Sequence, residues 1–292
     1  MYHFLSMGMF TSFICPLTIF IKLLSNYIGQ RLPLIYILIG SIVNPQFNYY
    51  KKKYNFDSDL FFSYYYKAVL YNYNLTQFML ILGSSSPRRQ QLLSYLTKDF
   101  KVLTADLDED SYIPQASDSQ DLVIILSQAK AEKIIKSHCL SNQIILTADT
   151  IVSLKTDQPP FFRVIGKPQD LTQAYKTLTY LSGKTHQVYT GFTIINQKTN
   201  HQITDFSLSF VTFKHLSPTQ ISAYIDRYQP LDKAGSYAIQ QMGPAYIKQY
   251  LGSLFGIIGL PLEKIAPILN SYSISINPRW QKEAAKEFIF GS

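Results

Sequence analysis

Cysteine is scarce: the 292 residues hold two, Cys15 and Cys139, with no CxxC and no Cys/His pairing. This excludes a disulfide framework and a structural zinc site of ordinary spacing, and a reducing compartment is the simplest reading. Charged residues make up 16% and mean hydropathy is near zero, which excludes collagen, coiled coil and acidic disorder. HExxH, GxGxxG and a Ser-His-Asp spacing are all missing. So is any uninterrupted apolar run of the roughly 20 residues a spanning helix needs. The stretch from Met7 to Leu24 is broken by Pro16 and carries Lys22, and the run from Leu34 to Val43 is short.

Glutamate is absent from the first 78 residues, which instead hold 20 of the 42 aromatics and a single alanine, Ala68. The chain therefore joins two compositions near Met79. The net charge of +8 divides equally between them, so a basic balance says little about nucleic acid. The segment 1–78 reads as an over-extended N-terminus, since its abundant Asn, Tyr, Phe, Ile and Lys have A/T-rich codons. A membrane anchor is the alternative, with Lys51-Lys52-Lys53 as its positive flank. Three parts are expected: the extension 1–78, a folded domain 79–270 and a tail 271–292.

From Met79 on, periodicity predicts an α/β fold. Met79 to Leu82 reads as a buried strand, and Ser84-Ser85-Ser86-Pro87 as a turn with helix N-cap chemistry. Leu92, Leu93 and Leu96 stripe the helix that follows. Further strands are expected at Phe100 to Ala105, Gln143 to Ala148, Val188 to Asn196 and Asp205 to Phe213. Helices are expected at Leu122 to Ile135, Leu171 to Leu181, Pro218 to Tyr228 and Pro261 to Leu269, and a loop from Asp157 to Arg163. Consecutive strands near 190–213 imply antiparallel pairing, hence a mixed central sheet flanked by helices.

Candidate chemistry sits at the strand ends. Gly83 to Arg89 joins a small-residue turn to a helix start bearing two guanidiniums, a phosphate-binding combination, although a capped helix with surface arginines fits the pattern equally well. Asp108-Glu109-Asp110 and Asp149 offer carboxylates that could hold Mg²⁺ over a phosphate chain and orient water. Each could as well be a solvated loop or a helix cap. Lys130 and Lys167 read in isolation as solvated lysines, and His186 as a hydrogen-bonded structural residue.

Taken in order, these pieces resemble the Maf family of nucleotide pyrophosphatases. The resemblance rests on Leu80 to Arg89, Ala148-Asp149-Thr150, Gly166-Lys167-Pro168, Leu181 to His186, Tyr189-Thr190-Gly191, Pro230 to Gly235, Ile239-Gln240 and Gly259 to Leu262. It implies a Maf/ITPase-like fold with a nucleotide cleft. The implied protein is a cytoplasmic homodimer that uses Mg²⁺ or Mn²⁺ to split nucleoside triphosphates into monophosphate and pyrophosphate. Arg88, Thr150 and Gln240 match positions of the subgroup acting on dTTP and UTP, whereas the 7-methyl-GTP subgroup typically has Trp in place of Arg88. By the same resemblance Asp149 is the proton acceptor, Glu109 and Asp149 are metal ligands, and Ser86, Arg89, Lys130 and Lys167 bind substrate. Ala238 and Gln241 stand where the family usually has Gly, which would tighten the base pocket. Leu254-Phe255-Gly256 replaces a more polar stretch. The competing reading from another class is a non-catalytic, nucleotide-binding regulator of septum formation. A nucleic-acid binder lacks a basic patch interleaved with aromatics in the core, and no membrane role is expected unless the extension is real.

Overall fold

The computed structural model describes residues 79–138, 142–156 and 162–288. The extension 1–78, both cysteines and the prolines Pro159 and Pro160 lie outside the described residues. The first part runs β1 (Met79–Gly83), α1 (Pro87–Leu96), β2 (Phe100–Leu103), a 3₁₀ segment (Glu109–Gln115), α2 (Ser119–His138) and β3 (Gln143–Lys155). It continues as β4 (Phe162–Ile165), α3 (Leu171–Leu181), β5 (Thr185–Asn196), β6 (His201–Phe213) and α4 (Pro218–Tyr228). After the 3₁₀ turns Pro230–Asp232 and Ala234–Ser236 come α5 (Ile239–Tyr246), β7 (Ile247–Leu251), α6 (Leu254–Ile258), α7 (Leu262–Ser271) and α8 (Trp280–Phe288).

The sheet has the order β2-β1-β3-β5-β6-β7, with β4 also paired to β3. β2, β1 and β3 run parallel; β3, β5, β6 and β7 alternate, as does the β3–β4 pair. This is the mixed α/β sheet expected from the consecutive strands near residue 200.

Strand parity decides which helices each strand meets, because successive side chains leave opposite faces of a sheet. Leu80 and Leu82 of β1 and Ile144, Leu146 and Ala148 of β3 join the large core with Leu92, Leu93 and Leu96 of α1. The intervening Ile81 and Ile145 pack instead with Ile195 and with Ala131 and Ile134 of α2. α2 lies very close to the sheet. A methyl group on Gly191 would fall 2.3 Å from the Val123 carbonyl oxygen, so that position has room only for glycine.

Four expectations need correction. β3 does not stop at Ala148 but runs on to Lys155, because β5 and β4 continue to pair with it after β1 has ended. Asp149 is therefore inside a strand and not at its end. The expected loop does not reach Arg163, since Phe162–Ile165 is a strand set antiparallel to Val152–Lys155; its remainder, 157–161, lies outside the described residues. β2 ends at Leu103 and leaves Thr104 and Ala105 at the rim of the cleft described next. The segment after 271 is not a bare tail, because α8 packs Trp280 and Ala284 into the main core.

Candidate active site

Parallel pairing of β1 with β3 ends at Leu82 and Leu146. Beyond that point β1 turns away into α1 while β3 continues, and the gap between them is a cleft of about 550 Å³. A crevice beyond the carboxyl ends of parallel strands is where open α/β sheets place their ligands. Its floor is β3, and parity divides the chemistry there. Asp149 shares the α2 face with Ile145 and meets Lys130; Thr150, on the α1 face, meets Arg89. Two adjacent residues thus serve two walls.

On the α2 side, Lys130 is 7% exposed and Asp149 4%. The Lys130 ammonium pairs with Asp149 and, at 2.7 Å, with Glu109 Oε1 at the start of the 3₁₀ segment. Lys167 approaches the other Glu109 oxygen at 3.6 Å. Burial pushes the Glu109 carboxyl upward, but the charge and hydrogen bond of Lys130, then Lys167 and Arg89, outweigh it and hold the group below its ordinary 4.5. Of the three acidic residues in the 108–110 cluster, Glu109 lines the cleft, while Asp108 and Asp110 are exposed.

On the α1 side, Arg89 donates from Nε to Gly259 O (2.9 Å), from Nη1 to Ser84 Oγ (3.2 Å) and from Nη2 to Thr150 Oγ1 (3.0 Å). A guanidinium carries five N–H donors, so two remain after these bonds. Burial lowers its pKa, and Asp149 and Glu109 oppose that shift. The Thr150 hydroxyl also meets Thr190 Oγ1 at 2.8 Å, and Thr190 in turn donates to Gly256 O. Thr150 therefore works as an anchor for Arg89. Ser86 occupies the N-cap position of α1 without a side-chain cap bond, contrary to expectation, and its N–H donates to Ser84 Oγ at 3.2 Å. The Gly83–Arg89 turn and the α1 N-terminus line the cleft, where the positive helix end favours an anion.

The third wall comes from residues 230–240. Arg88 pairs with Asp232 at 2.9 Å, and Lys233 pairs with the same carboxylate while itself buried. Burial raises the Asp232 carboxyl, but its bonds to Lys233 and Arg88 prevail and lower it. Gly235 has φ 69°, a left-handed geometry suited to glycine, and its N–H donates to Gly166 O, tying this wall to the Lys167 loop. Tyr224 Oη accepts from Ala238 N–H at 3.0 Å and donates to Gln241, framing Gln240 between them. Gln240 lines the cleft, and its Oε1 is buried without a hydrogen-bond partner among the described residues. Sequence reasoning assigned no role to Asp232 or Lys233. Both stood in a quoted motif, and a lysine beside an aspartate gave no hint that it would be buried.

The cleft thus brings together Ser86, Arg88, Arg89, Glu109, Lys130, Asp149, Thr150, Lys167 and Gln240; with Lys233 and Asp232 its lining has five cationic side chains against three carboxylates. His186 does not line it. That residue is 1% exposed, with Nε2 2.8 Å from Tyr237 Oη and Nδ1 unpaired among the described residues. Burial lowers its pKa from 6.5 to about 3. Because the folded value lies below the unfolded one, the unfolded chain takes up the proton first. Stability should be insensitive to His186 above about pH 6.5 and fall by up to about 1.4 kcal/mol per pH unit below it. His186→Gln, which cannot titrate, should show a shallower loss between pH 6.5 and 4 in urea melts. Equal slopes for both proteins would refute this.

Among the described residues no helix is long and apolar enough to cross a membrane, and no group of three or more His, Cys, Asp or Glu side chains comes together. Glu109 and Asp149 nevertheless converge on one cation position, held by the Lys130 ammonium. Two carboxylates completed by phosphate oxygens suit a hard divalent ion such as Mg²⁺.

The Maf-like protein family matches residues 79–272 of the chain. A dTTP/UTP pyrophosphatase of Alkaliphilus oremlandii (strain OhILAs) is 36% identical over 193 residues, covering 66% of this chain and 95% of the relative. One from Clostridium botulinum (strain Kyoto / Type A2) is 34% identical over 198 residues, covering 68% and 98%. A solved HAM1 protein from Coxiella burnetii, 12% identical with a TM-score of 0.37, covers 67% of this chain and 100% of its own, too distant a likeness to carry an argument. With the family match beginning at β1 and taking in every wall of the cleft, this chain belongs to the Maf family.

Proposed function

We propose that the protein is a nucleoside triphosphate pyrophosphatase that hydrolyses dTTP and UTP to the monophosphate and pyrophosphate. The observation that carries the reading is that one cleft is lined by both a cluster of cations and Gln240, whose amide oxygen is buried without a partner among the described residues. Uracil and thymine share an N3–H donor between two carbonyls. A buried amide oxygen without a partner accepts that donor, and its NH₂ group serves a carbonyl. Cytosine presents an acceptor at N3 and leaves the Gln240 oxygen unsatisfied there, a mismatch expensive enough to discriminate. The names of the relatives support the same substrate class.

In this reading Arg88, Arg89, Lys167 and the α1 N-terminus gather the phosphate chain, and Ser86 adds its hydroxyl. Asp149 accepts the proton of the water that attacks the α-phosphorus. The new P–O bond forms as the bond from that phosphorus to the bridging oxygen breaks, and pyrophosphate leaves with the bond's electron pair. Lys130 begins on Asp149 and Glu109; a phosphate oxygen competes for its ammonium and frees the carboxylate to act as base. Glu109 and Asp149 would hold Mg²⁺ or Mn²⁺, which supplies Lewis-acid polarisation of the phosphates and a more acidic water. A homodimer clearing unwanted nucleotides in the cytoplasm is the physiological role that accompanies this activity.

The test is pyrophosphate release from a panel of dTTP, UTP, dCTP, CTP and 7-methyl-GTP with Mg²⁺ or Mn²⁺. dTTP and UTP should lead, and Gln240→Leu should narrow their advantage over the cytosine nucleotides. Equal rates across the panel would overturn the specificity. Nucleotide binding without any release would overturn the activity and leave the septum-regulator reading.

A further inference from the structure

The family match stops at residue 272, but the chain continues into α8. What α8 and the turn before it touch is the frame around Arg89. We propose that residues 277–288 are a positioning clamp for Arg89, setting how tightly the cleft grips a phosphate chain. The proposal rests on the cleft being a nucleoside triphosphate site.

Besides Ser84 and Thr150, two helices fix Arg89. α1 carries it, and the Gly259 carbonyl at the end of α6 accepts from its Nε. The C-terminal segment reaches both helices. Asn277 N–H donates to Leu96 O at 2.7 Å, and Asn277 Nδ2 donates to Tyr95 O at 3.2 Å. These belong to the last-turn carbonyls that a helix cannot satisfy by itself. Further along, Glu287 accepts from the Tyr95 hydroxyl and from the Gln91 amide, both on α1. On the other helix, the Trp280 ring lies 5.8 Å from that of Phe255. The Phe255 carbonyl accepts from the N–H groups of Gly259 and Leu260, at 2.9 Å each, and so forms the turn that presents the Gly259 carbonyl to Arg89. Trp280 thus backs the residue whose carbonyl builds Arg89's anchor. The same contact gives the apolar ring of Phe255 a partner in this chain.

A clamp acting through Arg89 makes a different prediction from a helix that merely adds stability. Binding of inorganic tripolyphosphate, measured by calorimetry on the full chain, reads the grip without requiring turnover. Trp280→Ala and Glu287→Ala should each weaken it by about 5- to 20-fold, the range for a charge-assisted contact partly lost. KM for dTTP should rise in parallel while kcat changes less than about twofold. Trp280→Phe, which keeps a ring on Phe255, should restore most of the affinity. In an Arg89→Lys background the tail substitutions should cost little more, because coupled sites are not additive. Unchanged affinity, full additivity with Arg89→Lys, or a fall in kcat at constant KM would overturn the clamp, as would a wild-type protein that binds no tripolyphosphate. If Trp280→Ala unfolds, Glu287→Ala decides alone, since Glu287 is exposed. Should the wild type bind tripolyphosphate with this pattern yet release no pyrophosphate from any nucleotide, the hydrolase reading falls and the clamp stands.

Discussion

Asp149→Asn should fold, bind nucleotide and hydrolyse it about 10²–10⁴-fold more slowly, the usual loss for a positioned general base. The side chain is buried on a central strand, the isosteric amide fits the same space and Lys130 keeps Glu109 as a partner, so the cleft should hold its shape at some cost in stability. One negative charge also disappears beside a phosphate site, so nucleotide affinity should hold or rise. If Asp149 were a structural ligand of Lys130 and nothing more, the variant would lose stability and keep its turnover. Measuring kcat at saturating metal together with the melting temperature separates the two cases. A folded Asp149→Asn protein with near wild-type kcat would remove the assignment.

Lys130→Met should cost about 3–5 kcal/mol at neutral pH, the range for breaking a buried ion pair from one side. Methionine fills the aliphatic space but leaves Asp149 buried without its partner and Glu109 without its closest cation. The pH dependence is the sharper test. In the wild type the Glu109 carboxyl is held below 4.5, so its pairing stabilises the fold above that value and is lost as pH falls through the folded pKa. The variant lacks that contribution from the outset and regains stability when its stranded carboxyls are protonated. The gap between the two proteins should therefore shrink on acidification from pH 7.5 to 4. A gap that stays constant, or never exceeds about 1 kcal/mol, would mean that Lys130 is not the counter-ion of this pair.

Local patterning made much of the fold legible. The Leu92, Leu93 and Leu96 stripe and the apolar run after Met79 gave α1 and β1 nearly to the residue, and α3 and α4 appear with the expected bounds. Errors arose where tertiary pairing overrides local pattern. Nothing in Thr150 to Lys155 distinguishes a strand that ends from one that finds new neighbours, so β3 looked half its length. α8 was missed because its apolar positions become a core face against α1 and α6, which lie far away in sequence. The cleft residues were found through the motifs of a family and not through spacing alone. A buried lysine looks like a surface lysine until the fold closes over it, so in isolation the sequence marks neither Lys130 nor Lys233 as a cleft residue, and only the family resemblance brings in Lys130.

Asp149 and Thr150 are consecutive residues on one central strand, yet they belong to opposite walls. The peptide unit between them is locked by ten registered pairs along β5. The proposed base and the anchor of Arg89 therefore cannot move apart as two domains would. On the proposed activity, opening for substrate and pyrophosphate falls to the peripheral pieces, the Glu109 turn and the 230–240 wall joined to the Lys167 loop. Turnover limited by product release would then respond to solvent viscosity and to changes in those loops, while substitutions along the strand would alter the chemical step.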